Sequence, residues 1–124
     1  MERRPIDFGV RHHRLPPGAL VSILHRISGL VLVAVLPFLL YALQLSLENA
    51  SSYAQVTGIF ARDAGRIVLL LVGWTFAHHF FAGVRHLLLD VHIGIERGGG
   101  RAGAAAVLIA DVLAAGLLAW WLWR

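Results

Sequence analysis

Apolar residues in this chain come in long runs rather than in alternation with polar ones, and that pattern sets the fold class. Three runs reach the roughly 20 residues that a bilayer-crossing helix needs, at about 20–46, 67–89 and 104–123. Each is apolar nearly all the way round a helix, which excludes a soluble bundle or a coiled coil. The pattern predicts an all-α integral membrane protein with three transmembrane helices, preceded by a short N-terminal segment over residues 1–19. A single membrane-anchor domain then covers residues 1–124.

Punctuation agrees with the runs. Pro16 and Pro17 precede the first, as suits proline at a helix start, and Pro37 inside it predicts a kink that a membrane helix tolerates. The second run stops at Asp90, and a glycine-rich linker follows between Arg97 and Arg101. That linker has neither the preceding strand nor the following lysine of a phosphate-binding loop. The third run ends in Trp120, Trp121, Trp123 and Arg124, an interfacial anchor of rings and charge.

Composition sharpens this picture. The 124 residues are 58% hydrophobic with a mean hydropathy of +0.72, above the range of soluble domains. There is no cysteine, so disulfides, thiolate zinc sites and cysteine-held iron–sulfur clusters are excluded within the chain. The 11 basic residues are all arginine, against 7 acidic ones. All but Arg26 and Arg85 flank the apolar runs, which fits membrane lipid rather than nucleic acid as the partner. Arg3, Arg4, Arg11 and Arg14 in the first segment and Arg97 and Arg101 in the second loop put both on the cytoplasmic side. The first loop holds Arg62 and Arg66, partly offset by Glu48 and Asp63, although acidic residues count little in this rule. The run after the first segment is too long for a signal peptide and has no small-residue cleavage site.

Polar residues inside the runs are the candidates for chemistry, because an ionised side chain at mid-span costs about 2.5–3.5 kcal/mol on insertion scales. On the first run, Ser22, His25, Arg26 and Gly29 share a stripe at 100° per residue. Arg26 offers fixed donors for a carboxylate or carbonyl oxygen, and its bland alternative is snorkelling to the headgroups. On the second, His79, Gly83, His86 and Asp90 share a face. His79 lies eleven residues before Asp90, about 16 Å along the helix, too deep to snorkel. A neutral imidazole there is a good iron ligand, and Gly83 leaves room for a flat macrocycle one turn away. Arg85 and His86, nearer the cytoplasmic edge, suit its propionates. Antiparallel packing puts His25 and Arg26 near the level of His86. His78 points about 100° away from His79, and a hydrogen bond to a carbonyl or a neighbouring helix is its expected role. Asp111 stands alone in the third run. A protonated carboxyl bonded to a neighbouring helix is the leading reading, and a proton relay the lesser one. His12, His13 and His92 lie outside the runs.

Taken together, Arg4-Pro5, then Ser22-x-x-His25-Arg26-x-Ser28-Gly29, then His79-x-x-x-Gly83-Val84-Arg85-His86-Leu87-x-x-Asp90 resemble the cytochrome b membrane-anchor subunits of succinate dehydrogenase (complex II, succinate:quinone oxidoreductase). The resemblance covers nearly the whole chain. It implies three helices within a heteromeric bundle, His79 as an axial ligand of haem b, and the second axial ligand from a small membrane-anchor subunit. It further implies His25 and Arg26 near the propionates, with His86 and Gly83 close to the haem. Ser22, Ile23 and Arg26 would contribute to a ubiquinone pocket beside the iron–sulfur subunit. Succinate oxidation itself would occur on a flavoprotein subunit, and this chain would not be catalytic alone. A trimer of such four-chain complexes is a possible assembly. A bacterial inner membrane is favoured over a mitochondrion, because no Arg- and Ser-rich transit peptide precedes Arg3. Leu89 departs from the methionine or aromatic residue more frequent in the family, His92 from a small residue, and Asp111 has no counterpart.

Three other readings remain open at this level. A quinol:fumarate reductase anchor would run the same chemistry in reverse. A small proton or metal transporter could use His78, His79, His86 and Asp111, although no inverted repeat accompanies them. A cofactor-free anchor would leave His79 merely packed.

Overall fold

A computed structural model describes residues 16–96 and 98–124. The N-terminal arginines Arg3, Arg4, Arg11 and Arg14, the Arg4-Pro5 pair, His12, His13 and Arg97 lie outside them. Four helices follow in order: α1 over Pro17–Glu48, α2 over Ala50–Ala61, α3 over Asp63–Asp90 and α4 over Gly99–Trp123. Among the described residues there is no strand, and the fold is all-α. The three long apolar helices are present, and α1, α3 and α4 are each long and apolar enough to cross a membrane. At 1.5 Å per residue they measure about 37 to 48 Å, more than a hydrocarbon core of about 30 Å.

Local chemistry accounts for the boundaries. α1 starts on Pro17, whose fixed φ suits the first helical position and whose missing N–H would have had no partner there. It runs on through Pro37 as one helix. α2 lies where the apolar pattern left a loop. Its start is a reciprocal cap: Ser52 N–H donates to Asn49 Oδ1 at 2.9 Å, and Asn49 N–H donates to Ser52 Oγ at 3.2 Å. Between α3 and α4 the chain reverses through three positive-φ residues, His92 at 65°, Gly94 at 83° and Gly98 at 101°.

α1, α3 and α4 all touch one another, while α2 rests on α1 and α3. The buried core is small: Val21 of α1, Ala82 of α3, and Ala104 and Val107 of α4, with Phe81 and Leu108 against it. Small residues at 82 and 104 let the backbones come close, the usual device where lipid removes the hydrophobic drive between helices. Most large apolar side chains face outward; Leu30, Phe38 and Val112 are each more than 70% exposed. An exterior of that kind suits lipid or the helices of other subunits.

Candidate functional site

α1 and α3 bring five of the singled-out residues to one seam. His25 and Gly29 project from α1; His79, Gly83 and His86 project from α3. The His25 and His79 rings stack with centroids 4.3 Å apart and planes 12° from parallel. On its other side His25 meets His86 at 5.1 Å, tilted by 47°. His25 therefore lies between the deep histidine and the one nearer Asp90. Two glycines make this possible. A Cβ on Gly29 would come within 2.9 Å of His79 Cε1, and one on Gly83 within 3.3 Å of His25 Nε2. The room expected beside Gly83 for a macrocycle is thus taken by the His25 ring.

The hydrogen bonds of His79 fix which ring nitrogen carries its proton. Nδ1 lies 3.2 Å from the His25 carbonyl oxygen and 3.1 Å from Ser28 Oγ. A carbonyl can only accept, so Nδ1 carries the hydrogen and donates it. The Ser28 hydroxyl donates to the same carbonyl at 2.8 Å, which leaves its lone pairs facing Nδ1–H. The lone pair of His79 is consequently on Nε2, across the ring, where no hydrogen-bond partner stands among the described residues. A histidine whose Nδ1–H is tied to a carbonyl while Nε2 is free has the arrangement of a metal ligand. Of the candidate donors, His79 fits a haem iron on this ground.

The other candidates divide. Arg26 and Ile23 are exposed and Ser22 is half-buried, one to two turns closer to the start of α1 than Gly29. Among the described residues Arg26 meets no carboxylate. Arg85 turns away from the histidines. Its Nη2 donates to Gly100 O at 3.2 Å, and Gly18 and Gly103 leave space for its guanidinium. The expected grouping of Arg85 with His86 therefore does not occur. One residue of helix carries the two side chains to different neighbours, Arg85 to α4 and His86 to α1.

His78 and Asp111 meet each other. His78 Nδ1 and Asp111 Oδ2 are 2.6 Å apart, both residues are 4% exposed, and Asp111 sits at the centre of α4. The contact gives each side chain a hydrogen-bond partner inside the bundle. Pairing in this way is how a carboxyl and an imidazole are accommodated at mid-span. The pair joins α3 to α4, and among the described residues no group of three His, Asp or Glu side chains converges to hold a metal ion. The sequence pattern predicts a bond to a neighbouring helix for each of the two and groups them only in the transporter reading; it gives Ser28 no role.

Comparison with known proteins adds the family context. A family model described as succinate dehydrogenase/fumarate reductase transmembrane subunit matches residues 1–118. The chain is 29% identical over 122 residues to the succinate dehydrogenase cytochrome b556 subunit of Coxiella burnetii, with 98% of each chain covered. It is 31% identical over 93 residues to the subunit of the same description from Paracoccus denitrificans, covering 75% of this chain and 72% of that one.

Proposed function

The chain belongs to the succinate dehydrogenase/fumarate reductase transmembrane subunit family, and on that premise we propose that it holds haem b and contributes to a ubiquinone-reduction site. Membership makes it a multi-pass membrane subunit of such a complex. The observation that carries the finer reading is the Nδ1–H bond of His79 to the His25 carbonyl, which frees Nε2 for iron.

A haem b, when bound, supplies reversible one-electron chemistry at its iron. The residues of this chain do the rest of the work by placement. His79 would hold the iron through Nε2 of its tied ring, and the small anchor subunit would provide a second ligand. His25 and His86 extend the imidazole row from His79 towards the Asp90 end of α3, where the propionates of a haem would find donors. Gly83 serves this group indirectly, by admitting the His25 ring.

Ser22, Ile23 and Arg26 form the other half of the proposal. They flank His25 and precede Gly29 on α1, at the end shared with Asp90, and Arg26 is exposed and meets no carboxylate among the described residues. As quinone is reduced, negative charge grows on its oxygens. A guanidinium, which stays protonated, offsets that charge, and a serine hydroxyl can donate to the second oxygen. Ile23 would line the same pocket with apolar surface.

Electrons would arrive from an iron–sulfur subunit fed by a flavoprotein that oxidises succinate, in a heterotetramer that could assemble further into a trimer. The N-terminus would face the cytoplasm of a bacterial inner membrane. A reduced-minus-oxidised spectrum of the purified complex tests the haem assignment. The wild-type complex should give a b-type signal, and His79→Ala should lose it while the subunits remain assembled. An unchanged signal in the assembled variant would overturn the assignment.

A further inference from the structure

His78 and His79 are adjacent, yet they bind different neighbouring helices. His79 reaches α1 through the His25 carbonyl and Ser28, at 3.2 and 3.1 Å. His78 reaches α4 through Asp111, at 2.6 Å. Successive residues on a helix point about 100° apart, so α3 is held at one level from two directions. Most of the surface of α3 offers no such discrimination. It is apolar nearly all round, and apolar packing in lipid gives little preference for one rotation over another. Arg85 ties the end of α3 to α4 through Gly100 O at 3.2 Å, but at mid-span a single polar tie would leave the helix free to rock about it; a second, at a large angle, removes that freedom.

We propose that His78 and Asp111 are positioning residues: their bond fixes the rotation of α3 and so the direction in which His79 presents Nε2. Three features support a pair built for orientation. First, both side chains are almost wholly buried, and the bond is the one polar tie joining α3 to α4 at mid-span among the described residues. Second, His78 Nε2 and Asp111 Oδ1 have no hydrogen-bond partner among the described residues, so their mutual bond is the polar contact that orients the two side chains there. Third, the nearby buried core joins Ala82 on α3, one turn from His78, to Ala104 and Val107 on α4, with Phe81 and Leu108 packed against it. The small side chains at 82 and 104 let the two backbones approach closely there.

The inference rests on the reading of His79 as a haem ligand and concerns the geometry of that ligand. The direction and plane of an axial imidazole set the symmetry of the field at the iron, so they appear in the electron paramagnetic resonance g-values of the oxidised haem and in its midpoint potential. A pair that merely helped the chain fold would change how much complex assembles, without altering the signature of the haem in the molecules that do.

The test uses the purified complex carrying Asp111→Asn, Asp111→Leu, or His78→Phe together with Asp111→Leu. Asparagine can accept through its oxygen or donate through its nitrogen, so it keeps the bond whichever residue held the proton. The double variant replaces the pair with apolar groups and leaves no buried polar atom without a partner, which protects assembly. Expected are wild-type g-values and potential in Asp111→Asn, and a displacement of both in Asp111→Leu and in the double variant. A wild-type signature in the double variant, or an Asp111→Asn signature displaced as far as the double variant's, would overturn the inference. A wild-type complex with no haem would instead remove the reading of His79 on which it stands.

Discussion

Ser28 Oγ lies 3.1 Å from His79 Nδ1 and sends its own hydrogen to the same His25 carbonyl that the histidine uses. Serine in the middle of a helix commonly bonds back to the preceding turn in this way. Here that bond also orients the hydroxyl lone pairs towards Nδ1–H. The two acceptors share one imidazole hydrogen, so the ring is held by a carbonyl that cannot be mutated and a hydroxyl that can.

Ser28→Ala should therefore weaken haem retention without abolishing it. The His25 carbonyl remains as an acceptor, and the lost hydroxyl is worth about 0.5–1.5 kcal/mol, or roughly 2- to 12-fold in affinity. Titrating haem into the haem-depleted complex, or following its loss to a scavenger, would measure the change. Retention equal to wild type would show that the carbonyl alone holds the ring.

Gly29→Ala separates the helix from the site. Alanine favours a helix over glycine by about 1 kcal/mol, so α1 should form at least as well as before. The new methyl, however, would stand 2.9 Å from His79 Cε1, closer than a ring carbon allows. The imidazole must shift by a few tenths of an ångström, and its bond to the His25 carbonyl must lengthen. Assembly near wild type with a displaced haem absorption maximum or reduced haem content is the expected result. An unchanged maximum and full haem content would mean that the ring has room the structure does not give it.

The apolar runs made the three long helices legible, because a membrane span declares itself by composition over 20 residues. α2 was not legible on that criterion: Ser51, Ser52, Gln55, Thr57 and Gly58 break any apolar run, and its signal is the Asn49-x-x-Ser52 cap instead. The histidine cluster was partly legible. Helical spacing put His79, Gly83 and His86 on one face, but spacing along one helix does not say what fills the space beside Gly83, and that is a residue of α1. The His78–Asp111 bond had a usable signal that depends on pairing rather than periodicity. His78 stands twelve residues before the end of α3 and Asp111 twelve after the start of α4. Neighbouring antiparallel helices joined by a short turn bring such equidistant residues to the same depth. Two unexplained polar residues at equal depth are each other's most economical partners.

His92 gives a stability prediction. Its φ of 65° is in the left-handed region, which costs a residue with a Cβ about 1–2 kcal/mol. Glycine avoids that cost but loses more freedom on folding, by roughly 0.5–1 kcal/mol. His92→Gly should accordingly stabilise the α3–α4 turn by about 0.5–1 kcal/mol, seen as a small rise in the temperature at which the complex loses its structure. A fall would mean that the His92 side chain makes a contact with another subunit worth more than the strain.

Arg26 carries the last prediction, and its exposure is what makes the experiment clean. The side chain has no carboxylate partner among the described residues, so replacing it removes no ion pair seen within α1, α3 or α4. Arg26→Leu also keeps a good helix former at an exposed position of α1. Any large effect must then come from something outside the chain that the guanidinium touches. If that is the quinone, loss of the donor removes stabilisation of charge that develops during reduction, and such donors are worth roughly 100- to 1,000-fold in rate where they act in a dry site. Quinone reduction by the complex should fall tenfold or more, while succinate oxidation by an artificial dye, which bypasses the membrane subunits, stays at wild-type rate. Equal loss of both activities would point to an assembly contact, and preservation of both would leave Arg26 a snorkelling residue at the membrane surface.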